Sequence, residues 1–159
     1  MNKEVIIRKG QEKDLGLIVD LIKELAVFEK LLDEVVADEA ILRKSLFGDK
    51  QYAEVVIAEV DAIPMGFALF FHNFSTFLGR PGIYLEDLYV RPEARGKGVG
   101  KKLLQYLAAL CVERECGRLE WSVLDWNKGA IGFYESIGAK PMSGCSTYGL
   151  DGEDLVKFS

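Results

Sequence analysis

The sequence predicts an α/β fold in which a mixed sheet has helices packed against it. Three observations carry that prediction. The apolar residues switch between helical and strand-like spacing along the chain, a proline-containing turn joins two runs rich in β-branched and aromatic residues, and a glycine loop separates a strand from an amphipathic helix. The 159 residues, 49% hydrophobic and 28% charged, suffice to close a core as a single domain over residues 1–159.

The first run, "EVIIRKG", reads as a strand. Leu15, Ile18, Ile22, Leu25 and Ala26 then recur at helical spacing behind Asp14, a candidate N-cap. "ADEAILRKSLFG" predicts a second, shorter helix with Ile41, Leu42, Ser45 and Leu46 on one side, Asp38 near its start and Gly48 at its end. "AEVVIAEV" and "MGFALFFHNF", joined by "DAIP", read as an antiparallel hairpin, and "GIYLEDLYV" as a further strand. Val99, Leu103, Leu104, Leu107, Leu110 and Cys111 form the stripe of the next helix. The strand "LEWSVL" and a helix through "KGAIGFYESIG", stopped by Gly138, follow it. Two short strands around "STYGL" and "DLVKFS" would complete the sheet.

A formal net charge of −5 argues against broad binding to nucleic acid or anionic membrane, while leaving room for a local basic loop that holds a small anion. No apolar run reaches membrane-spanning length, and the opening "MNKEVIIRKG" turns charged too early for a secretory signal, so a cytoplasmic protein is expected. Cys111, Cys116 and Cys145 form no CxxC, and His72 is the single histidine, so no metal site is expected and the thiols read as structural or incidental.

The stretch "RPEARGKGVGKKLLQYL" sits between a strand and a helix. A Walker A loop fails because Arg95 stands where its first glycine belongs and Lys102 replaces the hydroxyl residue after Lys101. A dinucleotide fingerprint fails because its third glycine would fall on Lys101 or Leu103. What remains is Arg-x-x-Gly-x-Gly at Arg95, Gly98 and Gly100. Its glycines allow backbone amides to approach an anion, and the helix start adds its own N–H groups. The same residues also read as a tight strand-to-helix connection with solvated lysines.

This loop resembles the acetyl-coenzyme A (acetyl-CoA) loop of the GNAT N-acetyltransferases, and the order of elements is similar to that fold across nearly the whole chain. "ELAVFEKLLDEV", "GIYLEDLYVRPEARGKGVG" and "VLDWNKGAIGFYESIGA" resemble the diamine acetyltransferase branch, especially its thialysine N-epsilon-acetyltransferase members. The resemblance implies an α/β (α+β) fold with a mixed, largely antiparallel central sheet and helices on both faces. It also implies acetyl-CoA as co-substrate and a homodimer.

Residue by residue, the resemblance places the pantetheine arm along Leu88, Tyr89 and Val90, and the pyrophosphate on the turn begun by Arg95 and the amides of Gly96, Lys97, Gly98, Val99, Gly100 and Lys101. Asn127, with Lys128, Gly129 and Ala130 opening the next helix, matches the family's further cofactor contact. Tyr134 matches its general acid, Glu86 its water-mediated general base, and Asp87 a carboxylate that attracts the cationic amine. Phe28 and Glu29 match its substrate-binding pair.

Each assignment has a plainer counterpart. Tyr134 also reads as a tyrosine packing one edge of a helix, Glu86 and Asp87 as a solvated strand pair, and Phe28 and Glu29 as helix core and surface. Strand alternation predicts Glu86 on one face with Leu88 and Val90, and Asp87 on the other with Leu85 and Tyr89. His72 is assigned no chemistry.

Where animal-type relatives have a tryptophan after the final helix, "GCSTYGL" offers Thr147 and Tyr148, which weighs against long polyamines; the "FEKL" and "VLDWN" matches lean toward thialysine or a related short amino acid amine, and spermidine-like diamines stay open. Three classes of function stand: a small-molecule amine acetyltransferase, a protein or peptide N-acetyltransferase, and a catalytically idle acyl-CoA-binding module.

Overall fold

The computed structural model describes residues 4–142 and 144–159, so residues 1–3 of the charged opening lie outside it. The chain divides into two compact units, Met1–Ser122 and Val123–Ser159.

The first unit is built on a five-stranded sheet in sequential order, β1 (Val5–Lys9), β2 (Glu54–Val60), β3 (Ile63–Ser75), β4 (Arg80–Val90) and β5 (Leu119–Trp121). The first four strands pair antiparallel, and β5 runs parallel to β4. Between them lie α1 (Leu15–Phe28), α2 (Glu39–Phe47) and α3 (Val99–Glu113). The expected hairpin is present: Val60 pairs with Ile63 across Asp61 and Ala62, both at positive φ. A two-residue turn of that hand matches the twist of the flanking strands.

Alternation along the strands separates two packed faces. Val55, Phe67 and Tyr89 join Leu15, Ile18, Leu21 and Leu25 of α1 and Leu42 and Leu46 of α2 in one cluster. Ile18 and Leu21 keep no exposed surface, and burial of each is worth roughly 1.5–3 kcal/mol. Glu54, one residue before Val55 and so on the other face, is held by Arg114, just past α3, at 2.7 and 2.8 Å. The stripe Val99, Leu103, Leu104, Leu107 and Cys111 is the buried side of α3. Helices therefore cover both faces, as the resemblance implies.

Local details differ from the sequence-based expectation in instructive ways. Asp38 caps α2 as expected, accepting from the Ile41 N–H at 2.8 Å, but Ile41 itself is exposed while Leu42 and Leu46 are buried. Asp14 precedes α1 without capping it. Its carboxylate takes the Arg8 guanidinium at 2.8 and 3.0 Å and the Gln11 N–H at 2.7 Å, closing the short 3-10 turn ahead of the helix.

In the second unit, α4 (Lys128–Ser136) ends at Gly138, whose φ of 92° takes the left-handed turn that favours glycine. The two expected tail strands are absent. The "STYGL" stretch has no regular structure, and "DLVKFS" lies mostly within a helix, α5 (Gly152–Phe158). Glu153 and Asp154 in its first turn and Lys157 in its last suit the helix dipole, and Lys157 reaches Glu153 at 3.9 Å one turn away. The strand "LEWSVL" is cut to Leu119–Trp121.

Candidate active site

The β3–β4 ladder pairs Leu69 with Asp87 and Phe70 with Leu85, so Glu86 is an extra residue in β4, a β-bulge. Directly opposed residues share a face, while Leu69 and Phe70 face opposite ways, so Asp87 and Leu85 also face opposite ways. The expected alternation is thereby corrected: Asp87 keeps company with Tyr89 but not with Leu85, and Glu86 is exposed at the bulge. The β4–β5 ladder also stops here, its last pair being Leu85 with Trp121. From Glu86 to Val90, β4 has a ladder partner on its β3 side alone among the described strands, which leaves backbone groups of the stretch holding Leu88, Tyr89 and Val90 facing an open edge. A bulge increases local twist, which suits the point where two parallel strands part.

Beyond Val90 a 3-10 turn (Pro92–Ala94) leads into the glycine loop. Gly96 and Gly98 both adopt a φ of 78°, and a Cβ on either would meet nothing within 4 Å. The glycines are thus required by backbone conformation rather than by crowding. Gly98 is the N-cap of α3, and the first N–H to find a helical partner is that of Lys102, on the Gly98 carbonyl at 3.0 Å. The amides of Val99, Gly100 and Lys101 precede the first intrahelical bond, and they form a donor set suited to a phosphate. Lys97 and Lys101 are exposed beside them, while Val99 is buried and anchors the turn.

Arg95 turns away from that donor set. Its Nε donates to the Val90 carbonyl at 3.0 Å, and its guanidinium lies 4.9 Å from the centre of the Phe28 ring and 5.7 Å from that of Tyr89. Phe28 ends α1 and Glu29 is its C-cap. The helix stops there because Lys30 takes a left-handed φ of 62° and the Leu31 N–H folds back to the Ala26 carbonyl at 2.8 Å.

Burial first, then the charges of Glu86 and Glu29, push the Asp87 carboxyl up to about 6. Burial also raises the Glu29 carboxyl. The first unit thus gathers Phe28, Glu29, Glu86, Asp87, Tyr89 and Arg95: three carboxylates that suit an alkylammonium ion, beside two aromatic rings that hold the Arg95 guanidinium.

No residue pattern signals the clamp beneath this cluster. Arg91 donates to both carboxylate oxygens of Glu24, at 2.9 and 3.1 Å, and to the Pro64 carbonyl at 3.1 Å, while the Tyr89 hydroxyl donates to Glu24 at 3.3 Å. Glu24 and Arg91 lie 67 positions apart, so only the fold reveals the pair. The bulge did leave a signal, because two adjacent carboxylates interrupt the apolar alternation of β4.

The other expected residues lie in the second unit. Asn127 caps α4, its Oδ1 accepting from the Ala130 N–H at 3.3 Å, and Lys128, Gly129 and Ala130 form the first turn. Tyr134 lies on the same helix, half-buried, with its ring 5.9 Å from that of Phe133.

A family model described as "Acetyltransferase (GNAT) family" matches residues 20–139. The chain is 38% identical to thialysine N-epsilon-acetyltransferase of Bos taurus, over 98% of this chain and 97% of that protein. It is 32% identical to an L-ornithine N5-acetyltransferase of Arabidopsis thaliana, over 84% of this chain and 78% of the relative. Among solved structures, an integron cassette protein from the mobile metagenome of V. cholerae superposes with a TM-score of 0.81 at 26% identity, covering 99% of this chain and 98% of its own.

Proposed function

Since the chain belongs to the GNAT family of acetyltransferases and moves the acetyl group of acetyl-CoA to an amine, we propose that its acceptor is a small primary amine of the thialysine, diamine or polyamine class. The observation behind this reading is the grouping of Glu29, Asp87 and Glu86 with the Phe28 and Tyr89 rings. Relatives that act on thialysine and on ornithine, both short amino acids bearing a second amine, favour the amino acid end of the class.

A primary alkylamine with a pKa near 10.4 is nucleophilic in roughly one molecule per thousand near neutral pH. In the proposed mechanism Glu86 removes its proton through water, Asp87 and Glu29 hold the cation beforehand, and Tyr134 protonates the departing thiolate. The chemistry supplied by acetyl-CoA is an activated thioester. Leu88, Tyr89 and Val90 would hold its pantetheine arm along the open edge of β4, and the amides of Gly96 through Lys101 its pyrophosphate, with Asn127 to Ala130 as a further contact. Arg95 would then act by ordering the turn and Phe28 rather than by a side-chain bond to phosphate.

One observation favours a second arrangement of the proton path. A carboxyl titrating at about 6, as Asp87 does, is a better-matched base near neutral pH than an ordinary carboxylate. Glu86→Gln and Asp87→Asn separate the two: the base variant loses kcat, and the cation-binding variant mainly raises KM for the amine.

The match of one family model across residues 20–139, which reaches into both units, supports treating the chain as one catalytic domain, and we extend the reading to a cytoplasmic homodimer. The deciding experiment is mass detection of acetylated product from purified protein, acetyl-CoA and a panel of thialysine, lysine, ornithine, diamines, polyamines and amine-bearing peptides. Product from small amines is expected. Product on peptides alone would move the enzyme to the protein-modifying class, and no product despite cofactor binding would leave an acyl-CoA-binding module. Tyr134→Phe should lower kcat about 100-fold or more with acetyl-CoA affinity kept, and unchanged turnover would remove Tyr134 from the mechanism.

A further inference from the structure

The end of α3 has a feature that acetyl transfer does not use. Glu115 takes a left-handed φ of 57°, the Cys116 N–H bonds the Cys111 carbonyl at 2.8 Å, and the Glu115 N–H bonds the Val112 carbonyl at 3.2 Å. These two bonds define a Schellman motif, in which the side chains three positions before the cap and two after it frequently meet. At the end of α1 the same motif pairs Ala26 with Leu31; at the end of α3 it pairs two thiols.

With that hydrogen bond at 2.8 Å, standard backbone geometry holds the two Cα atoms within about 6.7 Å of each other, inside the roughly 4.4–6.8 Å that a disulfide spans. Burial first, and then the neighbouring Cys116 thiol, raise the Cys111 thiol, which accords with two side chains that lie close together.

We propose that Cys111 and Cys116 form a redox-sensitive dithiol that a hydroperoxide closes reversibly to a disulfide. Cys116 is half-buried and Cys111 is buried, which makes Cys116 the sulfur that meets the oxidant. Its thiolate attacks the peroxide oxygen, the O–O bond breaks, and a sulfenic acid forms as hydroxide, or alkoxide from an organic hydroperoxide, leaves and takes up the proton the thiol has lost, giving water or an alcohol. The Cys111 sulfur then attacks that of Cys116, the S–O bond breaks, and the departing hydroxide leaves as water with the Cys111 thiol proton. Two thiols lose two electrons and one hydroperoxide gains them.

The surroundings permit the change. The Cys111 thiol donates weakly to the Arg118 carbonyl at 3.6 Å, and that carbonyl also accepts from the Ile83 N–H at 2.9 Å, so loss of the thiol proton strands no buried acceptor. Cytosolic disulfides, where they occur, are characteristically transient ones of this sort.

The test uses the intact protein, treated with hydrogen peroxide, alkylated and digested with trypsin. Cleavage after Arg114 places Cys111 in peptide 103–114 and Cys116 in peptide 115–118, so the two stay joined only through a disulfide. The expected result is loss of both separate peptides, appearance of the joined species two hydrogens lighter than their sum, and full reversal by dithiothreitol. Cys116→Ser, at a half-buried position just past α3 and outside the proposed site, should abolish the joined species while Cys145 behaves as before. Recovery of separate peptides from the treated wild-type protein overturns the proposal, whether the thiols are unchanged or Cys116 bears a sulfenic or sulfinic acid.

Discussion

Asp87 and Asp14 show one kind of residue tuned in opposite directions. Burial and neighbouring carboxylates disfavour the anion of Asp87, raising it to about 6, whereas the Arg8 guanidinium, with help from the Gln11 amide, lowers Asp14. The signs of their stability effects follow. Because the folded state binds a proton at Asp87 more tightly than the unfolded chain does, the contribution of that group is present below the ordinary carboxylate value and is lost as pH rises through about 6. Asp87→Asn should therefore stabilise the protein at pH 7.5, by about 1–2 kcal/mol in chemical denaturation, while raising KM for the amine. In the wild type, KM for a cationic amine should rise as pH falls through about 6, and a flat profile would remove Asp87 from substrate binding. Asp14 runs the other way: its contribution is present above its ordinary value of 3.8 and is lost as pH falls below it. Asp14→Asn should cost about 2 kcal/mol at neutral pH, and its penalty should shrink in acid; a penalty that stays constant down to pH 3 would mean that the Arg8 pair contributes little.

At the scale of elements, the junction from β4 to α3 concentrates the function, and it depends on two glycines in left-handed conformation. Gly98→Ala puts a Cβ into a region that costs about 1–2 kcal/mol for an L-residue. The chain can relieve this by rotating the Gly98 peptide, which misdirects the first amides of α3. We expect weaker acetyl-CoA binding in calorimetry with little change in helical circular dichroism, and wild-type affinity in Gly98→Ala would show that those amides do not hold the pyrophosphate. This junction was legible in the sequence because glycine spacing directly encodes backbone conformation, as Asp38 encodes the start of α2. The bulge at Glu86 was visible only as a broken alternation, since a sequence period shows that the pattern fails but not which residue is extra. The Glu24–Arg91 clamp and the seat of Arg95 on Phe28 left no trace, because each joins elements that only the sheet brings together. The tail misled for a different reason: "DLVKFS" is too short for an apolar period to separate strand from helix, and the flanking charges decided for helix.

For the molecule as a whole, a net charge of −5 opposes a local basic loop formed by Arg95, Lys97, Lys101 and Lys102. An anionic co-substrate is therefore repelled by the chain at long range and attracted at short range. Because a Debye length of about 10 Å at 0.1 M salt screens the distant charges more than the near ones, moderate salt should change KM for acetyl-CoA less than it would for an evenly basic surface. Binding should also be felt in global stability, since a ligand that binds only the folded state stabilises it in proportion to the logarithm of one plus the ratio of its concentration to its Kd. At 100 times its Kd, acetyl-CoA should add about 2.7 kcal/mol, which for a chain of this size raises Tm by roughly 5–10 °C. Gly98→Ala should lose most of that rise at the same ligand concentration, because its effect on the folded state alone is fixed while its effect on ligand affinity enters through saturation. If the variant instead keeps the full rise from a lower starting Tm, the glycine serves the fold and not the co-substrate, and the pyrophosphate must be held elsewhere than on the first turn of α3.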